Sequence, residues 1–568
     1  MPYTEYVFDL EADNLLDDVT KVHCIVLSEN DKVISFPPDK IQDALKLMSK
    51  ADKLIGHNII DYDLRVLEKV CNWKFEGEVF DTLVASRTIW CHLYQLDVEM
   101  KKINTNLYGS HSLKAWGYRL GELKGNFNQG SESFEKYTKE MLSYCIQDVK
   151  VTSLLYNKIL KKEFSEDALK MEHDIHTLLI KQQERGIHFD ETKAQKLYSQ
   201  LAARKQEIED ELQKVFEPNI IVMKTKTKTT PFNPASRQQI AGRLKKRGWK
   251  PTEFTPCGEA KVDETILEKI DIPEAKLLRE YLMLNKRLGQ IATGKQAWLK
   301  LVKKGKLHGR VNHMGAVTSR CTHANPNLAQ VPRVSAEYGK ECRELFSVPN
   351  GYTLLGADAS GLELRCLSHF LHRYDDGKYS KELLEGDIHT ANQKAAGLET
   401  RDQAKTFIYG FLYGAGEEKI GSIIGRGSKE GRIIKNRFLQ KTPALKKLKD
   451  AVNTSAKKGW IKGLDGRQLP IRHAHAALNT LLQSAGALIC KRWYLNIHTG
   501  LRDNGLTEKD ASIVAFIHDE VQLQVRKGLE QKVGDIIQQA MQSTKDYYNF
   551  NIRLDTEWKA GNNWADTH

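Results

Sequence analysis

The sequence lacks several features that would place it in a membrane or an oxidising compartment. No apolar run approaches the ~18 residues of a membrane span, and strand-like sequence at residues 5–10 stands where a secretory leader would have its charged and apolar segments. The nine cysteines are scattered and none forms a C-x-x-C pair, which argues against a disulfide framework or a structural zinc site. Internal repeats and low-complexity segments are also absent. We therefore expect a soluble, cytoplasmic protein.

The charge balance is positive but moderate. Lys and Arg number 86 against 73 Asp and Glu, a net charge of +13, and hydrophobic residues make up 40% of the 568 residues. This is a globular composition, long enough for roughly three to four domains of about 150 residues. The positive balance permits a long electrostatic footprint for a polyanion, but a solvated basic surface explains it equally well.

Three stretches of the chain differ in pattern. Residues 1–160 alternate short β-like runs with helical segments, which predicts an α/β domain. Residues 165–216 predict one long charged helix, and residues 274–304 predict a second helical segment. The polar connection at 218–234 carries three lysines separated by threonines: Lys224, Lys226 and Lys228. This connection is either a mobile solvated loop or a contact for a polyanionic partner.

Carboxylates recur near the N-terminus at spacings suited to metal ions. Asp9 and Glu11 are two apart on a predicted strand, so both side chains leave the same face. Asp63 follows a second apolar run, whereas Tyr144 and Asp148 lie four apart in a helical pattern and share a helix face. Four carboxylates can hold two Mg²⁺ or Mn²⁺ ions about 4 Å apart, the arrangement used in phosphodiester cleavage, with Tyr144 placed to orient the attacking water.

These three segments resemble the motifs of the DnaQ-like 3′→5′ exonucleases: D-x-E, N-x-x-x-Y-D and Y-x-x-x-D. The resemblance implies that the metal ligands are Asp9, Glu11, Asp63 and Asp148. Asp61 also lies in the second motif, but Asp63 follows the tyrosine and takes the family position. The alternative is a set of unrelated surface acids, which the match in both order and spacing disfavours.

Three further segments resemble motifs A, B and C of the family A (Pol I type) DNA polymerases, in the family's order: Gly356–Arg365, Arg401–Gly414 and Ile517–Val521. Residues 459–467 and 477–490 look especially close to the replicative polymerases of short-tailed bacteriophages. The similarity extends over essentially the whole chain. It implies a template-directed DNA polymerase that carries a proofreading exonuclease on the same polypeptide.

The resemblance and the residue chemistry agree on a second metal site. Asp358 ends an apolar strand and Asp519 sits at the turn of a hairpin predicted at 511–525, so only a folded palm would bring them together. With the Ala359 carbonyl they can hold two Mg²⁺, one at the primer 3′-hydroxyl and one at the triphosphate. Glu520 is expected at the periphery of this site.

A four-residue repeat runs through the second polymerase segment: Arg401, Lys405, Tyr409 and Tyr413. Each step drifts by only about 40° around a helix, so two cations and two rings form one stripe. The cations neutralise a triphosphate, the resemblance adds His389 to them, and the tyrosines would flank the incoming base and sugar. A core aromatic stripe with two solvated cations is the alternative, which the match of the whole motif disfavours.

Further positions take their roles from the resemblance alone. Glu363 stands at the family's steric gate, where its carboxylate excludes a 2′-hydroxyl and favours DNA over RNA synthesis. Tyr409 stands where many members carry Phe, and a tyrosine there is associated with poor discrimination against dideoxynucleotides. Four positions match family contacts to primer–template: Arg320, Asn479, Gln483 and His518. Their donors would reach minor-groove acceptors, which are alike in every correct pair, although each also has an ordinary surface explanation.

The implied fold is an α/β RNase H-like (DnaQ-like) exonuclease domain followed by an α+β right-hand polymerase domain with thumb, palm and fingers. The expected division is exonuclease 1–163, thumb and connection to the palm 164–339, first part of the palm 340–384, fingers 385–474 and second part of the palm 475–568. The expected cofactor is Mg²⁺, two ions at each site, with Mn²⁺ as a substitute.

The expected partners are primer–template DNA and dNTPs, with a replicative helicase, a primase and a single-strand binding protein as further candidates. The enzyme is expected to be a monomer in the cytoplasm of an infected bacterium. A well-studied phage member of the family has a long insertion between its thumb helices, to which host thioredoxin binds. Only the short connection at 218–234 stands there in this chain, which argues against a thioredoxin clamp. Because the exonuclease motifs begin at residue 9, we expect no 5′-nuclease domain of the bacterial Pol I type.

Three alternative functions can be distinguished. A single-subunit RNA polymerase shares the palm aspartates and a similar fingers helix, but the exonuclease motifs and Glu363 argue against it. A catalytically silent DNA-binding protein would have lost at least one metal carboxylate, yet none is missing. A stand-alone exonuclease would leave about 400 residues unexplained.

Overall fold

The N-terminal part of the molecule is built around a mixed five-stranded sheet. The computed structural model describes residues 3–30, 32–122, 134–222 and 227–568, and no helix among these residues is long and apolar enough to cross a membrane. The strands are β1 (Glu5–Ala12), β2 (Val22–Glu29), β3 (Lys32–Phe36), β4 (Lys53–Gly56) and β5 (Glu78–Asp81). The helices are α1 (Ile41–Met48), α2 (Asp63–Cys71), α3 (Thr82–Ile89), α4 (Leu93–Met100), α5 (Leu113–Leu120) and α6 (Lys139–Leu160).

The sheet order β3-β2-β1-β4-β5 places β1 at the centre. β1 runs antiparallel to β2, β2 runs antiparallel to β3, and β4 and β5 run parallel to β1. Phe8 and Leu10 are buried in one hydrophobic layer, whereas Asp9 and Glu11 alternate with them and stay half-buried. The predicted α/β domain is therefore present, and both acids share one face of its central strand.

A largely helical middle part follows. Its helices are α7 (Glu166–Arg185), α8 (Glu191–Val215), α9 (Arg237–Lys246), α10 (Glu264–Glu268), α11 (Pro273–Leu288), α12 (Trp298–Leu301) and α13 (Gly339–Glu344). Its strands are β6 (Ile187–Phe189), β7 (Asn219–Val222), β8 (Thr227–Thr230), β9 (Lys306–Leu307), β10 (Arg310–Asn312) and β11 (Thr322–Ala324). The short strands β10 and β11 pair antiparallel and bracket a turn that belongs to the C-terminal candidate site described below.

The single long helix predicted for 165–216 is wrong, because β6 separates α7 from α8. Gly186 lies at the break with φ of 64°, and a Cβ there would meet a histidine ring and a carbonyl oxygen at 2.9 Å, so the chain turns at a residue without a side chain. The helical segment predicted for 274–304 is also interrupted, because a π-turn at Gly289–Thr293 follows α11 and leads only to the short α12.

The described residues of the basic connection include two paired strands. β7 and β8 pair antiparallel, and Lys228 lies exposed on β8. Lys224 and Lys226 fall outside the described residues. Because α9 and α10 follow β8, the segment that joins α8 to α11 is longer than the predicted 218–234.

The C-terminal part combines a small sheet with many helices. Its strands are β12 (Phe346–Ser347), β13 (Tyr352–Ala359), β14 (Trp460–Lys462), β15 (Gln468–Pro470), β16 (Ala511–Ile517), β17 (Glu520–Arg526) and β18 (Thr556–Gly561). Its helices are α14 (Leu362–Asp375), α15 (Lys378–Glu385), α16 (Ile388–Ala396), α17 (Arg401–Leu412), α18 (Glu417–Ser422), α19 (Ser428–Lys441), α20 (Pro443–Ala456), α21 (Ala477–Asp503) and α22 (Glu530–Tyr547).

Four antiparallel strands, ordered β16-β17-β13-β18, form the centre of this part. β13 pairs with β17 so that Asp358 lies opposite Glu520, and the hairpin predicted at 511–525 is present with Asp519 in its turn. α21 is buried along most of its length and packs against α22. Folding thus makes neighbours of two aspartates that lie far apart in the chain.

Buried and half-buried histidines make the fold sensitive to acid. Burial lowers the pKa of His313, His323 and His369 to about 4 in each case, whereas an unfolded histidine titrates near 6.5. His369 also needs an unprotonated Nδ1, because that atom accepts the Asn551 amide at 3.2 Å. These rings therefore contribute stability that is complete above about pH 6.5 and is lost as the pH falls toward 4, because the unfolded chain binds the extra protons.

The melting temperature is expected to fall by several degrees between pH 7 and pH 5. His369→Asn keeps an acceptor without a titratable ring, so its melting temperature should fall less steeply over that range. His473→Asn, at an exposed position, serves as the control and should follow the parent curve. Parallel curves for all three proteins would contradict this account of the buried rings.

Candidate active sites

The N-terminal site is built on β1 and α6. One possible ligand atom each from Asp9, Glu11 and Cys145 lies within 4.8 Å of the other two. Cys145 Sγ donates to the Asp9 carbonyl at 3.4 Å and to its Oδ2 at 3.5 Å. Oxygen ligands of this kind suit a hard divalent cation such as Mg²⁺, and the thiol supports the carboxylate that would bind it.

Asp63 and Asp148 complete the set predicted from the sequence. Asp63 begins α2, is 4% exposed and accepts a hydrogen bond from the Leu10 amide at 3.3 Å. Burial, together with the charges of Asp81 and Asp148, raises the pKa of Asp63 to about 7. Asp148 is buried on α6, one turn beyond the half-buried Tyr144. Desolvated carboxylates that repel one another fit a site for cations.

A cleft of about 710 Å³ opens at Asp9 and Asp148. Its lining includes Asp9, Asp148, His57, Asn58, Arg87, His111, Asn312 and Met314. The acids supply negative charge and Arg87 supplies positive charge, so the cleft can accept a cation and a phosphate side by side. Asn312 and Met314 come from β10 and the residues after it, so the middle part of the chain closes one wall of the cleft.

The sequence motifs did not reveal three residues of this region. Arg87 and His111 are isolated in the sequence and reach the cleft only through the packing of α3 and α5. Asp81 is fully buried at the N-terminus of α3, where its carboxylate accepts the amides of Asn58 at 2.8 Å and Ile60 at 3.1 Å. The helix-capping position of Asp81 was the one sequence signal available for it.

The C-terminal site forms where β13 ends beside the β16–β17 turn. The Ala359 amide donates to the Asp519 carbonyl at 3.0 Å, which places Asp358 and Asp519 at the same edge of the sheet. Partial desolvation, and then the charge of Glu520, raises the pKa of Asp358 to about 6. Burial, and then the charge of Glu363, raises the pKa of Asp519. Burial and neighbouring negative charges make both carboxylates costly to ionise, and a bound divalent cation would offset that cost.

Glu520 is engaged with residues near the end of the chain. Its Oε1 accepts hydrogen bonds from Gln522 Nε2 at 2.7 Å and from the Trp564 indole, and lies 2.9 Å from His568 Nε2. Burial works to raise the pKa of Glu520, but the hydrogen bond and charge of His568, together with Gln522 and the charge of Arg343, lower it overall. These contacts tie Glu520 Oε1 to Gln522 and to residues near the end of the chain.

The predicted stripe lies on α17, except that the helix ends one residue before Tyr413. Arg401 pairs with Asp387 at 2.8 Å, and Lys405 is exposed one turn further on. The Tyr413 hydroxyl donates to Glu363 Oε1 at 2.8 Å. The stripe therefore runs from two cations to the predicted steric gate.

α16 brings His389 to the same stripe. Its ring centroid lies 6.4 Å from that of Tyr409. Burial, and then the positive charges of Arg401 and Lys405, lowers the pKa of His389. His389, Arg401 and Lys405 therefore lie in one region of positive potential, where their donors are suited to bind a polyphosphate.

A second cavity, of about 210 Å³, adjoins Asp519. It contains three of the four predicted DNA contacts together with the steric gate: Arg320, Gln483, His518 and Glu363. Asn479 lies on α21 one turn before Gln483 and is not among the residues that line this cavity. His323, which the motifs did not reveal, packs its ring edge-on against His518 at 5.7 Å between centroids.

Comparison with known proteins places these sites in context. A family model described as DNA polymerase family A matches residues 192–566. DNA-directed DNA polymerases of Enterobacteria phage T3 and Escherichia phage T7 are each 38% identical to this chain, with 99% of this chain and 100% of each relative covered. Both alignments span 702 positions against the 568 residues of this chain, so these relatives contain segments with no counterpart here.

Similarity at the level of fold extends over the whole chain. A solved structure described as the POL domain of Pol1 from M. smegmatis, in complex with DNA primer-template and dNTP, superposes with a TM-score of 0.78 at 18% sequence identity. The superposition covers 99% of this chain and 96% of that chain.

Proposed function

The chain belongs to DNA polymerase family A, and from that premise we propose that it is a template-directed replicative DNA polymerase with a 3′→5′ proofreading exonuclease. The proposed polymerase activity rests on the placement of Asp358 and Asp519 at one edge of the central sheet, beside the stripe on α17. Asp358, Asp519 and the Ala359 carbonyl would hold Mg²⁺, which when bound neutralises phosphate charge and favours ionisation of the attacking hydroxyl.

The stripe on α17 is proposed to bind the incoming dNTP. Lys405, Arg401 and His389 would bind its triphosphate, and the tyrosine rings would flank its base and sugar. The Arg401–Asp387 ion pair is exposed, so exchanging it for a phosphate costs little. Closure of this helix on a correct nucleotide would complete the site and act as an induced-fit gate.

The exonuclease half is supported by the N-terminal sheet and its acids. A five-stranded mixed sheet with three antiparallel strands and two parallel ones is the arrangement expected of an RNase H-like domain. Asp9, Glu11, Asp63 and Asp148 would hold the divalent cations. Tyr144, on the same helix as Asp148, would orient the attacking water.

Primer–template DNA and dNTPs are the proposed partners, and the description of the solved relative, a complex with both, supports this. Arg320, Asn479, Gln483 and His518 would contact the DNA minor groove without selecting a sequence. The phage relatives support a role in phage DNA replication, in which a helicase, a primase and a single-strand binding protein remain further candidates.

The preference for deoxyribonucleotides over ribonucleotides as substrates tests the polymerase proposal. A labelled primer on a longer template should be extended with dNTPs and not with rNTPs, because the Glu363 carboxylate blocks a 2′-hydroxyl. Glu363→Ala should then allow rNTP addition. Extension of the parent with rNTPs alone would instead indicate a single-subunit RNA polymerase.

Tyr409→Phe is expected to raise discrimination against dideoxynucleotides by about tenfold or more, because it removes a hydroxyl near the sugar of the incoming nucleotide. The measurement is the ratio of dNTP to ddNTP incorporation at a single template position. Tyr374→Phe removes a tyrosine hydroxyl elsewhere in the C-terminal part and serves as the matched control. Equal termination by the Tyr409 variant and the parent would refute the assignment.

A further inference from the structure

A cluster of charges is buried beside the C-terminal site, and its member Lys491 also lines the cavity that adjoins Asp519. Glu172 on α7 is 0% exposed, and its carboxylate accepts hydrogen bonds from His313 Nδ1 at 2.8 Å, Arg467 Nη1 at 2.8 Å and Lys491 Nζ at 2.7 Å. Asp465 also accepts hydrogen bonds from the Arg467 side chain, from Nε at 3.0 Å and 2.9 Å and from Nη2 at 2.7 Å. The two carboxylates balance the two cations, so the cluster is neutral as a whole. Removal of one charge from this set would leave its partner buried and unpaired.

The cluster joins parts of the chain that are far apart in sequence. Glu172 is separated from its partners by 141, 295 and 319 residues. The partners come from the segment after β10, from the turn between β14 and β15, and from α21. Apolar side chains of similar volume would often stabilise such a contact equally well, so a set of buried charges that hydrogen-bond one another points to a role in fixing geometry.

One arm of the cluster reaches the turn that carries Arg320. Arg467 Nη1 donates to Ser319 Oγ at 2.9 Å, and Ser319 is fully buried with φ of 64°, a region that residues with a Cβ rarely adopt. The Gly315 amide closes the turn on the Arg320 carbonyl at 3.1 Å. His313, at the start of the turn, is itself a member of the cluster. Both ends of the turn are therefore held by buried polar contacts.

We propose that the Glu172 cluster positions Arg320 for primer–template contact by fixing Ser319 and His313. Arg320 lines the cavity that also contains Gln483 and Asp519, so a turn held rigidly from behind presents its guanidinium at that cavity at little entropic cost. Glu172 and Ser319 are positioning residues that act through Arg320. This inference rests on the proposed polymerase function.

A double-mutant cycle separates positioning from general stability. Ser319→Ala leaves every ion pair of the cluster in place and removes only the contact between Arg467 and the end of the turn next to Arg320. It is expected to lower kcat/KM for addition of a correct dNTP on the order of tenfold in the parent, and to change it by no more than about twofold when Arg320→Ala is already present. Glu172→Gln should show the same dependence on Arg320. Where Glu172→Gln fails to fold, Glu172→Gln with Lys491→Met keeps the charges balanced and replaces it.

Ser368→Ala is the matched control. Ser368 is also fully buried, and its hydroxyl lies 2.6 Å from that of Ser380, away from the cluster. Its substitution should lower the melting temperature about as much as Ser319→Ala and leave kcat/KM unchanged. An equal loss from Ser319→Ala with and without Arg320, or no loss at all, would overturn the positioning role. A parent protein that adds no nucleotide would instead overturn the proposed function itself.

Discussion

Asp358→Asn is expected to slow primer extension by at least about a thousandfold while digestion of single-stranded DNA continues at the parent rate. The amide keeps the size of the side chain but removes the negative charge that a divalent cation requires at the end of β13. Asp519→Asn should behave in the same way, since its main chain is hydrogen-bonded to the same strand. The measurement is the single-turnover rate of adding one nucleotide, compared with the rate of loss from a single-stranded 3′ end.

Asp510→Asn provides the matched control for this loss. Asp510 precedes β16, at the opposite end of the hairpin from Asp519, and pairs with Arg526 at 3.0 Å. Its substitution should leave both activities at the parent rate. Loss of both activities in a folded Asp358 or Asp519 variant would contradict two independent active sites.

Replacement of Asp9 and Glu11 by Ala together is expected to produce the reverse pattern. Removal of two of the four carboxylates should lower 3′→5′ digestion by at least about a thousandfold, because the remaining acids cannot hold the cations needed for phosphodiester cleavage. Extension of a matched primer should be unchanged, since the C-terminal aspartates lie on a separate sheet. Digestion is measured as release of the terminal nucleotide from a labelled single strand.

The same strand offers a control for that variant. Glu5 begins β1 at the end away from the cleft and accepts a weak hydrogen bond from Tyr156 at 3.4 Å. Glu5→Ala should digest DNA at the parent rate. Persistent digestion by the Asp9/Glu11 double variant would remove the basis for the exonuclease proposal and leave the polymerase proposal intact.

The sequence predicted the parts of this molecule whose signals are local. The alternation of Phe8 and Leu10 with Asp9 and Glu11 marks a half-buried strand with two acids on one face. The 511–525 hairpin is two apolar runs around a short turn, and the structure confirms both it and the helix beginning at Arg401. These features depend on neighbours within a few residues.

Features that depend on distant contacts could not be predicted. The break at Gly186 was missed because a single glycine within a helical pattern is often tolerated, and what forces the turn is the approach of residues 307–308. Cys145 lies beside Asp9 although 136 residues separate them. The partners of Glu172 lie even further away, so nothing in its own helix distinguishes it from a surface acid.

One gel assay tests the central claim, that a single chain carries two opposed activities. A 5′-labelled primer on a longer template is incubated with the protein and Mg²⁺, with dNTPs in one lane and without them in another. The account predicts a lengthened primer in the first lane and a shortened primer in the second. Shortening in both lanes, with no extension at any dNTP concentration, would contradict it.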